Sequence, residues 1–430
     1  MANITRRDFI KLAGSVSAAG ALGFPYVSWG AAKKVVVVGG GIGGATAAKY
    51  LRMMDAGIEV TLIEPKQYYY TCFMSNEVLG GERTIKANKF GYEGLAARGV
   101  KVVHDVVTAI DPAGRKVVTK GGQSFTYDRC IVSPGIDFRW DAIKGYDAKV
   151  AETIPHAYKA GQQTVTLRKQ LEAMPDGGTF LMSVPANPYR CPPAPYERVC
   201  QIAHYFKQHK PKSKILVLDA KDKFTKFDLF MAGWKKYYGY GSGNSMIEWV
   251  SDSNGGRVES LDAKSRTVTA AVHDFKGDVL NIIPPQKANK IAFDADLVDG
   301  SGWCPVNQRT FESTKHKGVH VIGDASIAVP LPKGGYAANS EAKVCAAAVV
   351  AALNGMEPPE PSWINSCYSL ITPEDAISLV MVYRLGEDGK IHEVKGAGGP
   401  TPNDAPETTH RRAVDYAHSW FNNITHDVFG

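Results

Sequence analysis

Four valines, Val35 to Val38, run without interruption into Gly39-Gly40-Gly41-Ile42-Gly43-Gly44. A continuous β-branched run suits a parallel strand buried on both faces. The residues that follow, Ala45 to Met54, have helical character, and a second strand is predicted from Ile58 to Ile63. That strand ends in Glu64, twenty residues after Gly44. Gly39 permits the tight turn, Gly41 lets the backbone approach a pyrophosphate, and Gly44 lets the helix pack close to the strand. The helix amino terminus then faces the anion. A carboxylate at Glu64 suits the two ribose hydroxyls and repels a 2′-phosphate. A glycine pattern alone is a weak signal. Strand, glycines, helix, strand and acid in order predict a dinucleotide site on a Rossmann-type unit.

Far downstream, His320-Val321-Ile322-Gly323-Asp324-Ala325 reads as a short apolar strand entering Gly-Asp. This pattern resembles flavoproteins with two dinucleotide domains, in which the Asp reaches the ribityl chain of FAD. Pro332-Lys333-Gly334-Gly335-Tyr336-Ala337-Ala338-Asn339 and an Ala-rich helix to Leu353 resemble the closing segment of the same proteins. Val132-Ser133-Pro134-Gly135 stands where they cross into a second domain, although Ser-Pro replaces the usual residues. The resemblance implies an FAD site that includes Gly39, Gly41, Gly44, Glu64, Gly323, Asp324 and Tyr336. It also implies an α/β fold with two Rossmann-like domains. The FAD domain is discontinuous, at residues 31–145 and 286–356.

The intervening residues, 146–285, are expected to form the second domain, but its fingerprint is gone. The opening strand, Gly178 to Val184, is followed by Pro185-Ala186-Asn187-Pro188-Tyr189-Arg190-Cys191-Pro192-Pro193. Prolines there remove amide donors and flexibility from the turn that would cradle a pyrophosphate. A further strand, Lys214 to Asp219, argues that the fold persists without tight nicotinamide binding. Reducing electrons must then come from another substrate. Residues 357–430 are expected to be a separate α+β unit covering the active site and meeting a partner. It holds a β-type run from Ile377 to Arg384, a Gly/Pro-rich loop at 396–406, and a final aromatic helix from Arg411 to Phe429.

The amino terminus is not expected to belong to the fold. Thr5-Arg6-Arg7-Asp8-Phe9-Ile10-Lys11 precedes a weakly apolar run from Leu12 to Phe24, too short and too polar to span a bilayer. Small residues from Gly30 to Ala32 offer a peptidase site. Residues 1–30 resemble a twin-arginine export signal, which predicts a soluble periplasmic protein. Past them no apolar stretch is long enough for a membrane helix, and no stable membrane insertion is expected. The net charge of +7 is too small and scattered to argue for nucleic acid.

Seven cysteines in an exported chain sit where disulfides persist. None are spaced as C-x-x-C, no zinc-ligand cluster is present, and no metal is expected. His410, His418 and His426 read as surface residues of a terminal helix. Cys72, in Tyr68-Tyr69-Tyr70-Thr71-Cys72-Phe73-Met74-Ser75-Asn76-Glu77, has no local partner, because position 77 is Glu. The residues leave two readings of it open: a buried structural thiol, or a thioether to the flavin 8α-methyl.

The Cys72 segment, Arg190-Cys191-Pro192-Pro193-Ala194-Pro195-Tyr196-Glu197-Arg198, Ile282-Ile283-Pro284-Pro285-Gln286 and Asn422-Asn423-Ile424-Thr425-His426-Asp427 together resemble the flavoprotein subunit of flavocytochrome c sulfide dehydrogenase. The likeness runs from about residue 33 to the end. It implies FAD covalently bound as 8α-S-cysteinyl at Cys72, and a redox-active disulfide between Cys191 and Cys367 at the face where hydrogen sulfide is oxidised. It also implies a separate haem c-containing cytochrome subunit as electron acceptor. No C-x-x-C-H is present here to hold haem. Glu197 is a candidate proton acceptor if its loop curls back, and Trp420 and Tyr336 are aromatic candidates on the electron exit route. Cys130, Cys200, Cys304 and Cys345 are expected in the core. Without the likeness, a structural Cys191–Cys367 staple in an exported electron carrier would stand. Other rivals are a sulfide:quinone oxidoreductase, which needs an apolar membrane-inserting tail, and an NAD(P)H-dependent reductase.

Overall fold

A computed structural model describes residues 32–271 and 273–430. The leader expected over residues 1–30 lies outside the described residues. The first sheet has five parallel strands in the order Val319–Val321, Arg129–Val132, Lys34–Val38, Glu59–Ile63 and Lys101–Val103. Lys34–Val38 is central, which is why Val35 to Val38 are all buried. The helix Ile42–Met54 follows the glycines and packs on the long helix Gly335–Leu353. Two glycines are required here by space. Gly39 has φ +96° and a Cβ on it would lie 2.3 Å from the Ser133 carbonyl oxygen. A Cβ on Gly44 would lie 1.8 Å from the carbonyl oxygen of Gly39, so helix and strand could not approach this closely with any other residue.

The second sheet has four parallel strands in the order Ile247–Val250, Lys214–Asp219, Thr179–Val184 and Val279–Ile282. An antiparallel ribbon of Ile136–Phe138 and Gln286–Ala288 carries the chain out to this sheet and back. The first sheet is therefore assembled from sequence on either side of the second. Each region also bears a three-stranded antiparallel flap. The α/β architecture expected from the sequence is the one observed.

Beyond the helix Gly335–Leu353, a long hairpin of Ser362–Thr372 and Asp375–Leu385 is extended by Ile391–Glu393 and Gly399–Pro400. The run read as Ile377 to Arg384 lies within its second strand. The first strand, which carries Cys367, was not legible. The last helix, Glu407–Phe429, starts four residues before the expected Arg411. Its buried residues Ala413, Val414, Ala417, Phe421, Ile424 and Val428 recur at helical spacing on one face. Its carboxyl end is fastened to the first sheet's layer. Lys49 Nζ donates to the carbonyls of His426 (3.1 Å) and Asp427 (2.8 Å), placing a cation at the negative end of the helix. Phe429 stacks on Phe90 at 5.4 Å.

One expectation for this helix is corrected. Only His426 is exposed. His410 Nδ1 lies 2.9 Å from Asp375 and His418 Nε2 lies 2.6 Å from Glu77, because both point toward the neighbouring layer and find carboxylates there. Cys130, Cys200, Cys304 and Cys345 are buried, as a small apolar side chain prefers.

Candidate functional site

Two cavities with a shared wall bear the candidate residues. The first is a cleft of about 430 Å³ over the carboxyl ends of Lys34–Val38 and Glu59–Ile63. Gly39, Gly41, Glu64, Cys72, Gly323 and Asp324 all line it. Gly44 lies beneath, where its role is helix packing. Glu64 accepts from the Gly40 amide at 2.8 Å and from the Lys66 amide at 3.1 Å, which fixes the acid at the rim of the glycine turn. A Cβ on Gly41 would meet nothing nearer than Tyr69 Cε2 at 3.5 Å, so this face of the turn is open to a ligand.

Two largely buried charges point into the cleft without full partners. Asp324 Oδ1 and Arg190 Nη2 have no hydrogen-bond partner, although Arg190 Nη1 lies 3.8 Å from Asp324 Oδ2. Burial pushes the Asp324 carboxyl up, against the opposing pull of Arg190 and Lys333. Buried polar atoms are normally satisfied. A ligand bearing both hydroxyls and anionic oxygens would satisfy these two, and FAD fits that description.

The turn beneath Asp324 is braced by buried ionisable groups. Gly323 N donates to Glu341 Oε2 at 2.7 Å, Ser326 Oγ donates to the same oxygen at 3.1 Å, and Lys333 Nζ donates to the carbonyls of Asp324 and Ser326 at 2.8 Å each. Burial pushes the Glu341 carboxyl up to about 8. The folded chain therefore holds this proton more tightly than the unfolded one. The resulting stability is complete below the ordinary carboxylate range and is lost as pH rises through about 8. Glu341→Gln cannot ionise, so its melting temperature relative to wild type should climb between about pH 5 and about pH 9. A constant offset across that range would contradict the assignment.

The second cavity, about 280 Å³, shares Cys72, Arg190, Gly334 and Gly335 with the first, and its lining adds Cys191, Glu197, Tyr336, Cys367 and Trp420. Tyr336 lines this second cavity, beside Gly334 and Gly335, which line both. It begins the helix Gly335–Leu353 on the side facing Trp420, whose ring stacks on it at 6.1 Å. Trp420 Nε1 is buried without a partner.

Cys191 arrives on residues 185–193, which replace the missing glycine turn. The loop is tied across to the first layer: Cys191 N donates to Lys333 O (2.7 Å), Arg190 N donates to Gln286 Oε1 (2.8 Å), and Tyr158 OH donates to Cys191 O (3.3 Å). These bonds hold Cys191 at φ +52°, a left-handed conformation unusual for a residue with a side chain. Burial, with Cys367, Cys72 and Glu197 beside it, pushes the Cys191 thiol well up. Cys367 comes from mid-strand in Ser362–Thr372. All seven cysteines are unbonded thiols in this structure.

Glu197 does not depend on a curling loop. It sits in the first turn of the helix Ala194–His209, accepting from Asn76 Nδ2 at 2.7 Å and from the Leu370 amide at 3.0 Å. Burial pushes its carboxyl up. Lys226, which the sequence gave no reason to single out, donates to Ser369 Oγ at 2.7 Å and lies 3.8 Å from Cys367 Sγ.

In the second sheet, the carboxylate that stands where a ribose acid would be is already engaged. Asp219, at the end of Lys214–Asp219 where a ribose acid would stand, is fully buried. It accepts from Tyr196 OH (2.6 Å), Lys221 Nζ (2.6 Å) and Trp249 Nε1 (3.1 Å). Tyr196 in turn stacks on Phe224. The carboxylate is spent on protein donors.

Residues 164–284 match the central segment of the sulfide dehydrogenase [flavocytochrome c] flavoprotein chain, and residues 359–429 match the flavin-binding segment of flavocytochrome c sulphide dehydrogenase. The sulfide dehydrogenase flavoprotein chain of Chlorobaculum thiosulfatiphilum is 63% identical over 46 residues, 96% of that sequence and 11% of this one. The chain belongs to this family. Residues 33–170 match the pyridine nucleotide-disulphide oxidoreductase model, and residues 3–23 match a twin-arginine translocation signal, which marks the chain for export to the periplasm. The mitochondrial sulfide:quinone oxidoreductase of Dictyostelium discoideum is 25% identical over 72% of this chain and 69% of its own. The sulfide:quinone oxidoreductase of Aquifex aeolicus has the same fold, with a TM-score of 0.70 at 16% identity over 92% of both chains. Members of this family are sulfide-oxidising flavoproteins with FAD, and the cleft fits that cofactor. Among the described residues no helix is long and apolar enough to cross a membrane.

Proposed function

We propose that this flavoprotein oxidises hydrosulfide at a Cys191–Cys367 disulfide, with FAD fixed through a thioether to Cys72, and delivers the electrons to a haem c-containing cytochrome subunit. The observation that carries this reading is the convergence of three cysteines from three distant segments on one cavity that shares Cys72, Arg190, Gly334 and Gly335 with the cofactor cleft. Gly39, Gly41, Glu64, Asp324 and Arg190 would hold the FAD, which accepts electrons as a pair and releases them singly. Hydrosulfide attacks one sulfur of the disulfide. The Cys191–Cys367 bond breaks, a new sulfur–sulfur bond forms, and a persulfide and a thiolate result. Glu197, held between Asn76 and the Leu370 amide, takes up the proton. Burial raises its affinity for that proton, which matches a base working near neutral pH better than an ordinary carboxylate would. Loss of the sulfane sulfur, as elemental sulfur or onto a further hydrosulfide as polysulfide, leaves Cys191 and Cys367 as two thiolates, and the electron pair released when their sulfur–sulfur bond re-forms would pass to bound FAD. Tyr336 and Trp420, stacked at the cavity wall, mark the side from which electrons depart.

A quinone acceptor is the second reading, supported by likeness to sulfide:quinone oxidoreductases. Steady-state assays with sulfide as donor separate the two. Reduction of a c-type cytochrome that outruns reduction of a water-soluble ubiquinone analogue is the expected result. The reverse order would assign the chain to quinone chemistry, and no sulfide-dependent reduction of either acceptor would leave an electron carrier with a structural staple.

A further inference from the structure

We propose that Lys226 is the cation that holds negative charge on the sulfur of Cys367 whenever the Cys191–Cys367 bond is open. Its ammonium lies 3.8 Å from Cys367 Sγ and is anchored by Ser369 Oγ at 2.7 Å, two residues along the same strand. Lys226 makes no ion pair among the described residues, although its charge is also felt by the Glu197 carboxyl and the Cys191 thiol, which face the same cavity. The residue caps the helix Phe227–Tyr238 with left-handed backbone angles (φ 64°, ψ 33°), and Thr225 just before it lines the cavity. The backbone thus turns the side chain toward Ser369 and Cys367. A cation this close favours a thiolate over a thiol.

The inference rests on the disulfide reading for its purpose. Whichever sulfur hydrosulfide attacks, Cys367 ends with a sulfur that bears or readily takes negative charge. Attack at Cys191 expels Cys367 as a thiolate. Attack at Cys367 places the new persulfide there and expels Cys191 as the thiolate, and the persulfide proton passes to Glu197. In both cases one sulfur–sulfur bond breaks, one forms, and the expelled sulfur leaves with the bonding pair. Lys226 steadies the anion at Cys367 and so lowers the cost of opening the bridge.

The test needs no sulfide. The FAD-loaded full chain is reduced anaerobically and treated with iodoacetamide over a range of pH, and the modified peptides are quantified by mass spectrometry. Lys226→Asn removes the charge, and asparagine tolerates the left-handed backbone; Lys226→Arg keeps the charge. Alkylation of Cys367 near neutral pH is expected to slow by about tenfold in Lys226→Asn, less than an unscreened charge at this distance would give because the site is open to water. The difference should close at alkaline pH, where the Cys367 thiol ionises with or without a neighbouring cation, and Lys226→Arg should stay close to wild type. Unchanged rates in Lys226→Asn, or a slowing that persists at alkaline pH, would overturn the proposal. Sulfide turnover could be absent while this pH profile moves as expected; that result would sink the disulfide reading and leave the Lys226–Cys367 pairing intact.

Discussion

Serine at either Cys191 or Cys367 is expected to lower sulfide-dependent turnover by on the order of 10³-fold or more while FAD content stays unchanged. The two sulfurs act as one device, so losing either abolishes the bond that hydrosulfide attacks. The double variant should therefore fare no worse than either single one, as is usual for residues that work as a unit. Both positions are half-buried and line a cavity, so serine leaves neither a large void nor an unpaired charge in the core. The measurement is the rate of sulfide-dependent acceptor reduction, normalised to bound flavin. Substantial turnover in either single variant would mean that the pair is a staple and that sulfide reaches the cofactor unaided.

The second large effect concerns Cys72. Acid precipitation of the wild-type chain should carry the yellow colour into the pellet, because a thioether survives unfolding. In Cys72→Ala the colour should pass almost entirely to the supernatant. The physical ground is placement: Cys72 lines both cavities, at their junction, with no second cysteine in its own segment to pair with. The noncovalent contacts of Glu64, Asp324 and Arg190 remain in the variant, so it should still bind FAD when folded. Free flavin in the wild-type supernatant would leave Cys72 as an ordinary thiol beside a dissociable cofactor.

The nucleotide turn was legible because its requirements are local. Gly39 and Gly44 are demanded by atoms only a few ångströms away, and the strand, helix and acid around them follow in sequence order. The loss of the second fingerprint was equally legible, since prolines stand where amides are needed. The consequence was not: nothing in the sequence showed that Asp219 would be consumed by Tyr196, Lys221 and Trp249.

Cys191 and Cys367 lie far apart in sequence, and no periodicity links them. Their pairing was suggested only by likeness to a family, and the fold then put both on one cavity. The strand that carries Cys367 escaped reading because Asn365, Ser366 and Ser369 interrupt its apolar pattern, and Ser369 is polar because it serves Lys226. Lys226 itself sits in no motif; its importance comes from a left-handed turn that only coordinates reveal. That Tyr336 would stack on Trp420 was not legible, since the direction of a side chain at a helix start depends on what packs above it.

Where electrons enter is decided by anaerobic rapid mixing of the FAD-loaded chain with hydrosulfide and, separately, with NADH, followed at the visible flavin band. Hydrosulfide should bleach the flavin rapidly in wild type and fail to do so in Cys191→Ser, and NADH should leave it yellow. Rapid bleaching by NADH, or bleaching by hydrosulfide that survives loss of Cys191, would contradict the entry of electrons through the sulfur pair.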